Sequence, residues 1–174
     1  HYPILRQQID LATSTLTVAG HTATPVVLRL GAMVNYVTGA LPTKDVSGPV
    51  SLVLGTRDSL HPMGGADVRG RWLVQVVRAT PQGVTIDFGP ITAAFKAGAL
   101  GVLFVSNRAD AQWQNRLARM TRPGLVLGGM PVDPANGPLV EIRDSAASAA
   151  LGLDAATLRT VTAGWSVSVV ASEY

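Results

Sequence analysis

The sequence predicts an α+β domain: a β-sandwich or open β-barrel core carrying two or three short helices. Three observations lead there. Short apolar runs bounded by Gly and Pro fill the first half of the chain. After the middle, the apolar spacing turns helical over short stretches. The chain then closes on a strongly alternating strand. The 174 residues suffice for one domain, and 47% hydrophobic against 14% charged residues is a core-rich globular composition.

Taken in order, "STLTVAG" (14–20) alternates, with Leu16 and Val18 on one face and Thr15 and Thr17 on the other. "TPVVLRL" (24–30) and "GPVSLVLG" (48–55) are short strand candidates, and "MVNYVTG" (33–39) lies between them. "RDSLHPMGGADVRG" (57–70) reads as a loop, because Pro62, Gly64, Gly65 and Gly70 interrupt any regular period. "RWLVQVV" (71–77) is apolar on both faces, which marks a strand buried within a sheet.

From residue 89 the pattern changes. "GPITAAFKAG" (89–98) sets Pro90 in a first helical turn and Gly98 just past the last one. Ile91, Ala94 and Phe95 share a stripe at helical spacing. "LGVLFVS" (100–106) is a second buried strand, and "ADAQWQNRLARM" (109–120) is a polar helix or an ordered excursion. Turns dominate 121–138. "PLVEI" (138–142) is a strand, and "DSAASAAL" (144–151) is a short helix capped by Asp144 or Ser145. "DAATLRTV" (154–161) adds a turn of helix, and "GWSVSVVAS" (164–172) alternates with Trp165, Val167 and Val169 facing one way.

Several chemistries find no support. There is no Cys, which removes disulfides, thiolate metal ligands and Cys nucleophiles together. His1, His21 and His61 have no second ligand at i+2 or i+4, so no metal-binding residue is assigned. "GWSVS" around Ser166 misses the last glycine of a nucleophile elbow and lies in an alternating strand. No Walker string exists, and Asp45, Asp58, Asp67 and Asp87 show no paired spacing. No catalytic or cofactor-binding residue is therefore assigned. The net charge of +3 comes from few acids rather than a basic stripe, which speaks against nucleic acid. No apolar run approaches the roughly 18–20 residues of a membrane span. No basic segment followed by an apolar one marks a signal peptide in the sequence as written.

Two features point to binding. The stretch from Asn107 to Arg122, with Asn107, Arg108, Trp113, Arg116, Arg119 and Arg122, is the best candidate contact surface, since Trp and Arg are enriched at interface hot spots. The alternative is a solvated helix whose Trp covers the core edge. The Gly-rich loop around His61 to Asp67 is a weaker candidate for a small-molecule or hydrolase site.

The order of three motifs resembles the protease-associated (PA) domain. "ADVRGRWLVQVVR" (66–78) matches its first strand through Val68, Gly70, Leu73 and Val74. "AGALGVLFVSN" (97–107) matches its second through Ala97, Gly98, Ala99, Gly101 and Val102. "GPLVEIRDSAASAAL" (137–151) matches the third through Leu139, Val140, Ile142, Ala150 and Leu151. The flanks "ATSTLTVAG" and "VSGPVSLVLG" are similar to the lead-in of such domains where they are inserted in bacterial zinc-dependent aminopeptidases. Arg71 stands where the family usually has Lys, and the element before the helix is reduced and lacks its Cys.

The resemblance implies a swivelling PA-like fold for residues 1–174 as one domain. It covers residues 48–151, with 1–47 and 152–174 as flanking strands that join a catalytic domain. It implies a non-catalytic module that restricts or guides substrate at a linked peptidase, or contacts another protein. Peptide or protein substrates would be its partners, and zinc would belong only to a catalytic domain outside the chain. It also implies a secreted or periplasmic bacterial setting. A free-standing protein-interaction domain is the alternative. On this reading Gly70, Gly98 and Gly101 are structural, with Gly98 ending a helix and Gly101 allowing helix and strand to approach.

Overall fold

The computed structural model describes residues 3–38, 45–53, 67–77, 80–83, 86–127 and 137–174. Nine strands form one mixed sheet in the order β2-β1-β9-β4-β5-β6-β8-β3, with β7 paired to β1. These are β1 (Ile4–Ala19), β2 (Val26–Arg29), β3 (Val34–Thr38), β4 (Val46–Val53), β5 (Trp72–Val77), β6 (Gly101–Ser106), β7 (Gly124–Leu127), β8 (Leu139–Arg143) and β9 (Thr162–Glu173). The helices are α1 (Phe88–Lys96), α2 (Asp110–Met120), α3 (Asp144–Leu151) and α4 (Ala155–Leu158).

The sheet curls into a nearly closed barrel. Strands β2 and β3 lie at opposite ends of its order, yet only residues 30–33 separate them. Leu30 bridges Val34, and Gly31 N–H donates to Val34 O at 2.7 Å. The expected open barrel is thus the form adopted, as one curled sheet rather than two facing sheets of a sandwich. Most of the regular structure is strand, with the helices short.

One stretch of the sheet is parallel. β4, β5, β6 and β8 run side by side in one direction, with α1 crossing from β5 to β6. Parallel strands joined by helices are covered on both faces, and so read as unbroken apolar runs. Alternation divides β5, β6 and β8 between two cores. Trp72, Val74, Leu103, Val105, Val140 and Ile142 face the barrel interior with Leu16, Val18, Val34 and Trp165. Leu73, Val102, Phe104 and Leu139 face outward under Ile91 and Ala94 of α1. β4 joins the halves, pairing with β9 through Val46–Pro49 and with β5 through Val50–Val53.

The three glycines singled out in the sequence occupy distinct backbone settings. Gly98 has φ +95°, and its N–H donates to Phe95 O while Ala99 N–H donates to Ala94 O, both at 3.0 Å. That is the paired bonding of a Schellman ending. Gly70, at φ +66°, donates its N–H to Gly98 O at 2.8 Å. Gly101 faces Trp72 across the β5–β6 ladder, and a Cβ there would fall 2.7 Å from ring carbons Cε3 and Cη2. The close approach is therefore strand to indole, not helix to strand.

Other local expectations change. α3 is preceded by Arg143 at its N-cap without a side-chain cap bond, and Asp144 sits in its first turn, accepting from Ser145 N–H at 2.7 Å. The stretch read as turns contains β7, and β1 begins ten residues before the alternating segment. Asp10 explains the long β1. Its carboxylate accepts from Thr13 Oγ1 at 2.6 Å and Ala12 N at 2.9 Å, shaping a bulge in which residues 11–14 oppose Val167 alone. The bulge separates a barrel half, Thr15–Ala19, from an outer half that pairs with β7 and the end of β9.

Candidate binding site beside helix α2

Helix α2 follows the carboxyl end of β6 and lies against β3. Its centre is Trp113, which is fully buried. The indole Nε1 donates to Gly31 O at 2.7 Å, and the Arg143 guanidinium stacks 4.6 Å from the ring centroid. Arg143 is itself held by Asp110 at 2.7 Å and Ala32 O at 3.1 Å. Trp113 therefore fastens α2 to the turn where the barrel edges meet. The sequence placed it on a contact surface; the structure gives both its apolar body and its N–H an internal partner.

Arg108 and Arg116 also turn inward, toward Glu141. Glu141 belongs to β8, on the outer face it shares with Leu139, and it is 1% exposed. One carboxylate oxygen accepts from Ser106 Oγ at 2.5 Å and Arg108 Nε at 2.9 Å. The other lies 3.3 Å from Arg116 Nε, an ion pair without the alignment of a hydrogen bond. Arg116 Nη2 donates to Val37 O at 3.0 Å. A buried carboxylate is tolerable because three polar side chains compensate its lost hydration.

The register sets Asn35 of β3 opposite Glu141, and Phe104 on its other side. Asn35 is fully buried, and among the described residues neither its amide nitrogen nor its oxygen has a hydrogen-bond partner. Burial depresses the Arg116 guanidinium pKa. Arg108 and Arg119 push it the same way, and Glu141 opposes them.

Arg119 and Asn107, also named as contact candidates, are exposed. Arg119 lies on the rim of a cleft of about 470 Å³ between α2, β7, and the outer ends of β1 and β9. Its apolar lining includes Ile9, Tyr36, Met120, Val126 and Val169. Gln7, Gln8, Arg116, Arg119 and Arg122 supply the polar lining. Burial raises the Tyr36 hydroxyl well above its ordinary pKa.

Sequence reasoning missed Glu141, Asn35, Gln7 and Gln8. Glu141 alone left a signal, as one of only two Glu in the chain and flanked by apolar residues in a buried strand. The alternative site in the 57–70 loop falls mostly outside the described residues, as do His1, His61 and Asp58. Asp67 is described; it is exposed and accepts from Arg69 N–H at 3.3 Å. Ser166 lies within β9, paired with Thr15, and not on a strand-to-helix turn. Among the described residues, no three His, Asp or Glu side chains gather as metal ligands would.

No protein-family model matches the chain, and no curated protein does. Among solved structures, an aminopeptidase from Aneurinibacillus sp. strain AM-1 is similar over 99% of this chain and 37% of its own, at 18% identity and TM-score 0.51. BSAP, a zinc aminopeptidase from Bacillus subtilis, covers 97% of this chain and 35% of its own at 14% identity and TM-score 0.47. A peptidase M28 precursor from Shewanella amazonensis SB2B covers 100% and 37%, at 11% identity and TM-score 0.45. The chain spans little more than a third of the length of these proteins. The likeness to the Aneurinibacillus protein shows a shared fold.

Proposed function

We propose that this chain is a non-catalytic PA-type module of a bacterial zinc-dependent aminopeptidase, controlling access of peptide substrates to a catalytic domain outside it. The observation that carries the reading is the fold likeness, in which nearly the whole chain corresponds to about a third of an aminopeptidase. The path of the chain supports it. β1 and β9 run antiparallel side by side, with Leu5 opposite Glu173 and Tyr174 N–H donating to Ile4 O at 3.2 Å. A polypeptide entering through β1 and leaving through β9 can thus be inserted in another domain at one point. The glycine-punctuated order of β5, α1 and β6 supports the same reading, since it is the stretch that resembles the PA domain.

In this reading zinc and the hydrolytic residues belong to the linked domain, and the protein works outside the cytoplasm. Removal of residues 4–173 from the larger enzyme, with a short linker in their place, tests it. Cleavage of a single-residue anilide should persist, while the preference between short and long peptides should change. An unchanged length preference would overturn the role in access.

A further inference from the structure

From the geometry we infer that the cleft beside α2 binds a carboxylate carried on an apolar group. The inference is independent of any linked peptidase. A volume of about 470 Å³ falls within the range of small-ligand sites, about 300–1,000 Å³. Among the described residues its exposed cationic rim has no counter-ion. Arg119 and Arg122 are exposed, and neither has an ion pair among the described residues. Among the described residues, no Asp or Glu lines the cleft. Glu141 cannot serve, because Ser106 and Arg108 hold one of its oxygens and Arg116 covers the other.

Arg116, Arg119 and Arg122 all line this cleft. Like charges gathered on one wall of a partly enclosed cleft favour an anion there. Guanidinium forks match a planar carboxylate in two parallel hydrogen bonds. Gln7 and Gln8, from β1, add amide groups to the same cleft. The rest of the ligand is set by the apolar lining. Ile9, Met120, Val126 and Val169 would receive an aliphatic chain and leave a multiply charged phosphate poorly solvated. A peptide C-terminus ending in an apolar residue and a fatty acid share this chemistry.

Titration of the 15N-labelled chain by NMR distinguishes them. N-acetyl-leucine, octanoate, the neutral N-acetyl-leucinamide and inorganic phosphate serve as separate probes. Either carboxylate should shift the amides of residues 7–9 and 119–126, and bind at least about tenfold more tightly than the leucinamide. Preference for N-acetyl-leucine assigns the site to peptide termini, and preference for octanoate assigns it to fatty acids. The pair Arg119→Ala and Arg122→Ala should abolish the shifts while the Tm stays unchanged. Equal binding of the leucinamide, tighter binding of phosphate, shifts elsewhere, or no binding of either carboxylate would overturn the inference.

Discussion

Helices α1 and α2 both pack outside the same curled sheet, on very different undersides. α1 is closed at both ends. Asp87 accepts from Gly89 N–H at its start, and Gly98 ends it with paired backbone bonds. Ile91 and Ala94 beneath it pack in an apolar cluster with Leu73, Val102, Phe104 and Leu139. α2 begins without a side-chain cap. It presents one buried indole and a guanidinium that enters a buried carboxylate network. The difference separates two uses of a helix. α1 seals a core, where burial itself supplies the stability. α2 is held by a few directional bonds, and its last turn, where Met120 Sδ accepts from Tyr36 N–H at 2.9 Å, forms one wall of the cleft.

Substitutions can break this contrast, beginning with the largest effect. Trp113→Ala removes the buried anchor of α2 and should lower unfolding free energy by about 3–5 kcal/mol in urea titrations. A loss below about 1 kcal/mol would place Trp113 outside the core. Glu141→Leu leaves Arg108 and Arg116 facing each other without their anion, and should cost about 3 kcal/mol. Gly101→Ala drives a methyl into Trp72 and should cost about 1–3 kcal/mol, also in urea. Gly98→Ala strains the α1 ending and should cost about 1 kcal/mol. Arg119→Ala sharpens the contrast from the other side, since it should change stability by no more than about 0.5 kcal/mol.

How legible these features were depends on what periodicity reports. The α1 stripe and the Gly98 ending could be read because both are local, set by spacing within ten residues. β5 and β6 were recognisable as buried, yet their parallel pairing was not, since an apolar run records burial and not direction. The outer half of β1 escaped because Arg6, Gln7, Gln8 and Asp10 break its alternation where it leaves the barrel. β7 was missed because "GLVL" is four residues long and lies on the surface. The candidate site was half legible. Arginines on α2 marked the region, but Glu141 lies 33 residues from Arg108 and Asn35 lies on a strand from the first quarter of the chain. Only the β3–β8 register brings those groups together.

The central claim is that this chain binds and guides, while chemistry belongs to a domain outside it. The most direct test is hydrolysis of leucine p-nitroanilide by the purified chain, with added zinc and with a chelator. The account predicts no release of p-nitroaniline above the protein-free control under either condition. Zinc-dependent release that the chelator abolishes would contradict it.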